Sequence, residues 1–120
     1  MSTPPPRDHL PLRSVELDIL LGVVDQPRHG YAILQEAEER AGGHPGFEIP
    51  TLYRALRRMQ EAGLVSAVEA PAAARDADER REYWQATPLG RDVLKAELAR
   101  LEAIVSTGRK RTRAARAAGR

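Results

Sequence analysis

The chain has 120 residues, 42% of them apolar and 30% charged, enough for one domain with a modest core. It has no cysteine, which excludes disulfides and thiolate metal sites and fits a reducing, cytoplasmic compartment, and its 4% aromatic content argues against a deep aromatic-lined pocket within one subunit. Six of the 19 Lys and Arg fall in residues 109–120, which leaves 13 against 17 acidic residues before them, so a body of net charge −4 precedes a basic end.

The start, MSTPPPRDHLPLR, lacks the basic-then-apolar pattern of a secretory signal, and its proline content reads as a disordered leader over residues 1–13. Ser14 is a candidate N-cap for a first helix, Val15 to Gln26, with Glu16 and Asp18 in the first turn where the helix dipole favours acids. Its apolar run, Ile19 to Val24, is too short to cross a membrane, and a helix apolar nearly all round is expected in a core or partly against a second subunit. Pro27 ends it. Arg28-His29-Gly30-Tyr31 opens a second helix, Tyr31 to Ala41, with Ile33, Leu34 and Ala37 on its inner face and Tyr31 a candidate to join them. Gly42-Gly43 and His44-Pro45-Gly46 form a cap and a turn.

The third helix, EIPTLYRALRRMQEAG over Glu48–Gly63, is the most informative stretch. Ile49, Leu52, Leu56 and Met59 recur at spacings of three, four and three, the stripe of a helix packed on a core. At about 100° per residue, Thr51, Arg54, Arg57 and Arg58 point away from that stripe. Two strand-like runs follow, Leu64 to Ala70 and Arg80 to Thr87, around a polar loop at Pro71 to Glu79, which predicts a hairpin. Thr87 and Pro88 then restart helix as N-cap and first helical residue. Leu94, Leu98, Leu101 and Val105 continue it with a heptad seam, widened by Val93 and Ile104. A compact three-helix core leaves that seam no internal partner, so it predicts a homodimer. Thr107-Gly108 closes the helix.

The order helix, helix, helix, strand, strand, helix predicts a mainly α protein with a small β-hairpin, an α+β winged helix-turn-helix with a C-terminal dimerisation helix. The expected organisation is a leader at 1–13, a DNA-binding domain at 14–87, a dimerisation helix at 88–107 and a basic, flexible tail at 108–120. These residues resemble the PadR family of bacterial transcriptional regulators. The resemblance is carried by His29-Gly30-Tyr31, Thr51-Leu52-Tyr53-Arg54-Ala55-Leu56, Gly63-Leu64-Val65, Arg80-Arg81-Glu82-Tyr83-Trp84 and Thr87-Pro88-Leu89-Gly90, in order, over about Leu17 to Leu101. The length resembles the short subfamily, with a single C-terminal dimerisation helix. Three positions depart from the family pattern: Ile49-Pro50 before Thr51, Arg54 where a Pro is frequent, and Ala86 where a Leu is common. Some short members stack drugs on a Trp of the last helix. No aromatic residue stands between Pro88 and Ser106, so that mode is not expected here.

Arg54, Arg57 and Arg58 suit guanine edges or phosphates, while Thr51 and Tyr53 carry hydroxyls suited to phosphate oxygens. The plainer alternatives are a solvated arginine face paired with Glu61, and a half-buried Tyr53. Arg75, Arg80 and Arg81 in or beside the wing, residues 71–80, suit phosphates or a minor groove, although Asp76, Asp78, Glu79 and Glu82 nearly neutralise them. His29, His9 and His44 lack a second ligand at metal spacing, so capping or packing is expected of His29. No catalytic triad, phosphate loop or carboxylate pair occurs. The sequence therefore reads as a DNA-binding regulator, a repressor acting as a homodimer on double-stranded DNA. It is not an enzyme and needs no cofactor, and its effector is unidentified. The rival reading is a winged-helix protein-interaction module without sequence-specific DNA binding.

Overall fold

The computed structural model describes residues 4–40, 42, 46–72 and 81–119. Helix α1, Ser14–Val23, buries Val15, Ile19, Leu20 and Val23, leaving Leu17, Leu21 and Val24 half-buried on its other side. Ser14 is its first helical residue rather than its cap. Arg13 occupies the cap position, and its backbone N–H donates to Glu16 Oε1 at 2.8 Å. The helix ends three residues before the expected Gln26, because Arg28 reaches back to its last turn: the guanidinium donates to the Gly22 carbonyl and, at 2.7 Å, to Asp25 Oδ1. That hydrogen bond holds the Asp25 carboxyl below its ordinary range. The Nε of Arg28 lies 2.7 Å from Glu36 on helix α2, Gly30–Arg40, and Arg40 returns to Asp18 of α1 at 3.2 Å.

Arg28 and His29, expected to open a helix, form a two-residue strand instead, β1. Strands β2, Val65–Val68, and β3, Tyr83–Ala86, complete an antiparallel sheet in the order β1-β3-β2, with Val65 opposite Ala86, Val68 opposite Tyr83, and Arg28 opposite Trp84. Both hairpin strands are shorter than the sequence pattern suggested. Helix α3, Ile49–Glu61, crosses α1 and α2 with Leu52, Ala55, Leu56 and Met59 buried. The core collects Ile19, Leu20, Val23, Ile33, Leu52, Leu56, Met59, Val65, Trp84 and Val93, each such side chain contributing about 1.5–3 kcal/mol by leaving water. Trp84 of β3 packs inside, 4% exposed. Tyr31 does not join the inner face of α2; it is 55% exposed.

Helix α4, Pro88–Ala117, runs about ten residues past the expected stop at Thr107-Gly108, so residues 108–117 are helical rather than a flexible tail. One Gly inside a helix costs about 1 kcal/mol, and the Arg, Lys and Ala that follow are among the best helix formers. Thr112 also donates back to the Gly108 carbonyl at 2.9 Å. The leader is ordered as well, from residue 4. Pro6–His9 forms a 3₁₀ turn packed on α4, Leu10 and Leu12 pack on the core, and the Leu12 N–H donates to Glu97 Oε2 at 2.8 Å. Glu97 is only 1% exposed, and its second oxygen takes the Arg100 guanidinium. Arg100, and then the Leu12 N–H, hold that carboxyl below its usual range against the opposing effect of burial. Among the described residues no helix is long and apolar enough to cross a membrane.

Candidate nucleic-acid interface

Helix α3 separates its side chains as its periodicity demands. Leu52, Ala55, Leu56 and Met59 face the core, while Arg54, Arg57 and Arg58 are exposed and Thr51 is half-exposed. Arg54 donates to Thr51 Oγ1 at 3.3 Å, which draws the guanidinium back toward the start of the helix. Among the described residues no ion pair joins Glu61 to Arg57 or Arg58, so the charge on this face is not cancelled locally. With five N–H donors in a planar fork, each guanidinium is a good match for base edges and phosphate oxygens.

Two glycines set where α3 sits. A Cβ on Gly30 would lie 2.7 Å from the Tyr53 hydroxyl and 2.8 Å from its ring, so only a glycine lets α2 start flush against α3. Tyr53 is thereby half-buried between the two helices of the helix-turn-helix, which gives it a structural task beside any contact its hydroxyl makes. His29, the residue before, accepts the Ala32 N–H on Nδ1 at 3.1 Å and meets the Tyr83 ring edge-on, centroids 5.4 Å apart. This is the capping and packing role expected of it. On the other side of the imidazole, Arg81 Nη1 lies 3.0 Å from Nε2. The pairing of β1 with β3 therefore brings exposed Arg81 to the start of α2. Arg75 and Arg80 lie outside the described residues.

The second glycine makes the joint with the last helix. The Leu64 N–H donates to the Met59 carbonyl at 2.8 Å, and the Leu64 carbonyl accepts the Thr87 N–H at 3.0 Å. The Thr87 hydroxyl donates to the Gly63 carbonyl and accepts the Gly90 N–H at 3.0 Å, as its expected role of N-cap requires. A Cβ on Gly90 would overlap the Leu64 carbonyl oxygen. So the Thr-Pro-Leu-Gly motif fastens α4 directly to the C-terminal end of α3 and the root of the hairpin.

The four candidate dimerisation residues separate. Leu94 is 4% exposed and belongs to the subunit's own core beside Val93. Leu98 and Val105 stand 40% and 48% exposed, with Leu101 half-exposed and Ile104 bare at 53%. Spacing alone could not separate Leu94 from Leu98. Glu97 was missed because a charged residue on a helix ordinarily faces water. Among the described residues no cluster of three or more His, Cys, Asp or Glu could hold a metal.

Two packed helices, a hairpin directly after the second and a capped helix behind define a winged helix-turn-helix. The model of the PadR-like family of transcriptional regulators matches residues 19–96, and the chain belongs to that family. It is thus a DNA-binding transcriptional regulator and not an enzyme. Solved structures share the fold. A PadR family regulator from Clostridium difficile is 22% identical with a TM-score of 0.69, covering 82% of this chain and 97% of that one. A PadR-like regulator from Bacillus cereus is 19% identical with a TM-score of 0.68, over 80% and 88% of the two chains. A ZitR variant from Lactococcus lactis is 24% identical with a TM-score of 0.61, over 82% of this chain and 59% of its own. No curated protein matches the chain.

Proposed function

We propose that the protein is a homodimeric repressor that inserts α3 into the major groove of its operator, with the wing beside it. The observation that carries this reading is the face of α3 bearing Arg54, Arg57 and Arg58, exposed and, among the described residues, without acidic partners, on the helix that precedes the hairpin. Arginines of this kind pair bidentately with guanine edges, whereas Thr51, Arg81 and the wing's Arg75 and Arg80 suit phosphates and fix the docking angle. The dimer is supported by the far half of α4, where Leu98, Leu101, Ile104 and Val105 present an apolar strip to water. Two reading heads on such a dimer would engage half-sites about 34 Å apart, one helical turn of DNA. The cytoplasm is where such a regulator works. Release requires an effector with different affinities for two spacings of the heads; its identity is open.

Selection of bound fragments from genomic DNA with the purified protein tests the function and yields the operator together. On a selected duplex, Arg54→Ala with Arg58→Ala should weaken binding by tenfold or more and relax base preference. Unchanged affinity and salt dependence would leave the winged helix as a protein-interaction scaffold.

A further inference from the structure

We propose that Tyr31 is a phosphate-docking residue at the start of α2, acting together with Arg81. The inference rests on the DNA reading above and adds a contact outside the recognition helix. Tyr31 stands in the first turn of α2 with its large ring 55% exposed, while Ile33, Leu34 and Ala37 of the same helix are buried. Among the described residues its hydroxyl has no hydrogen-bond partner. A tyrosine held out on a helix, neither packed nor bonded, contributes little to the fold that holds it.

Its position matches a ligand already in view. In a helix-turn-helix the first helix crosses the DNA backbone while the second enters the groove. Here α2 is that first helix, and Gly30 seats its start against the Tyr53 ring of α3. A duplex in contact with the first turns of α3 therefore passes the residue next to Gly30, which is Tyr31. His29, one residue earlier, holds the exposed Arg81 guanidinium at 3.0 Å. An uncharged hydroxyl donor and a cation thus flank one glycine at the edge of the reading helix. Tyrosine hydroxyls and arginines are common donors to phosphate oxygens, and such contacts position a protein without reading sequence.

The two residues leave different signatures. A hydroxyl adds affinity without releasing counterions, whereas an arginine contributes to the salt slope. The test is fluorescence anisotropy over a range of salt concentrations, with a labelled duplex from the genomic selection and an unrelated duplex of equal length. Tyr31→Phe keeps the ring and should weaken binding to both duplexes by about tenfold, with salt slope and duplex preference unchanged. Arg81→Gln should lower the slope by about one per subunit, again without altering preference. Tyr31→Phe binding within twofold of wild type on both duplexes overturns the inference, and so does a loss confined to the selected duplex. If Arg54→Gln shifts preference while Tyr31→Phe is silent, only this proposal falls. If the wild-type protein binds neither duplex, the DNA reading beneath it falls as well.

Discussion

The two halves of α4 share one continuous helix and obey different rules. From Pro88 to Glu97 the helix is specified by its own chain: Thr87 caps it, Gly90 admits the Leu64 carbonyl, Val93 and Leu94 fill the core, and Glu97 holds the leader. From Leu98 to Ala117 it is largely exposed, with an apolar strip that gives way to Arg109, Lys110, Arg111, Arg113 and Arg116, all exposed. At about 1.5 Å per residue the helix is roughly 45 Å long, in a molecule whose longest extent, this helix included, is 60 Å. One half fixes an angle to α3; the other extends it into solvent.

Substitutions should separate the halves. Leu94→Ala empties a filled site and should cost about 3 kcal/mol in urea unfolding, an effect that core truncation alone explains. Gly90→Ala forces a methyl into the Leu64 carbonyl and should cost about 2 kcal/mol by the same measurement, with a loss of DNA affinity as α4 shifts against α3. Across the boundary the readout changes. Leu98→Glu should move subunit stability by no more than about 0.5 kcal/mol yet give a monomer in sedimentation, and a persistent dimer would reject the proposed seam. Gly108→Ala should add about 0.5–1 kcal/mol of helix stability, visible as circular-dichroism ellipticity retained on warming.

Glu97 marks the boundary and supplies a pH test. Its folded pKa lies below the ordinary value of 4.5, so its ion pair and hydrogen bond stabilise fully above that pH. The stabilisation is lost as pH falls through the folded value. The stability gap between wild type and Glu97→Gln should therefore be flat above about pH 5 and shrink below about 4.5. A gap independent of pH would mean that the carboxylate charge is not what holds Leu12.

What could be read from the sequence was local. The α3 stripe, the Thr87 cap and the alternation at Val65 follow from periods of 3.6 and 2, and these elements stand where expected. What escaped was set at a distance. Strand β1 exists only because Tyr83 and Trp84 lie opposite it, a pairing across more than fifty residues that two residues cannot announce. The leader's prolines suggested disorder, but Leu10 and Leu12 find a surface and Leu12 a buried carboxylate. Gly108 reads as a stop locally, but eight of the nine residues that follow it in the helix are Arg, Lys or Ala, which outweigh it. Within the candidate interface the arginine face was legible residue by residue, while the tasks of Gly30 and Gly90 needed the neighbouring helix to be in place.

Strand β3 lies between two partners that hold its register from both sides: β1 through Arg28 opposite Trp84, β2 through Val65 opposite Ala86. The length of chain joining Val68 to Tyr83 is therefore decoupled from the alignment it connects. Doubling such a connection costs only about 0.6 kcal/mol in closure entropy. The reach of the wing can thus be redesigned, by insertion or deletion between those residues, without moving the strand that carries it.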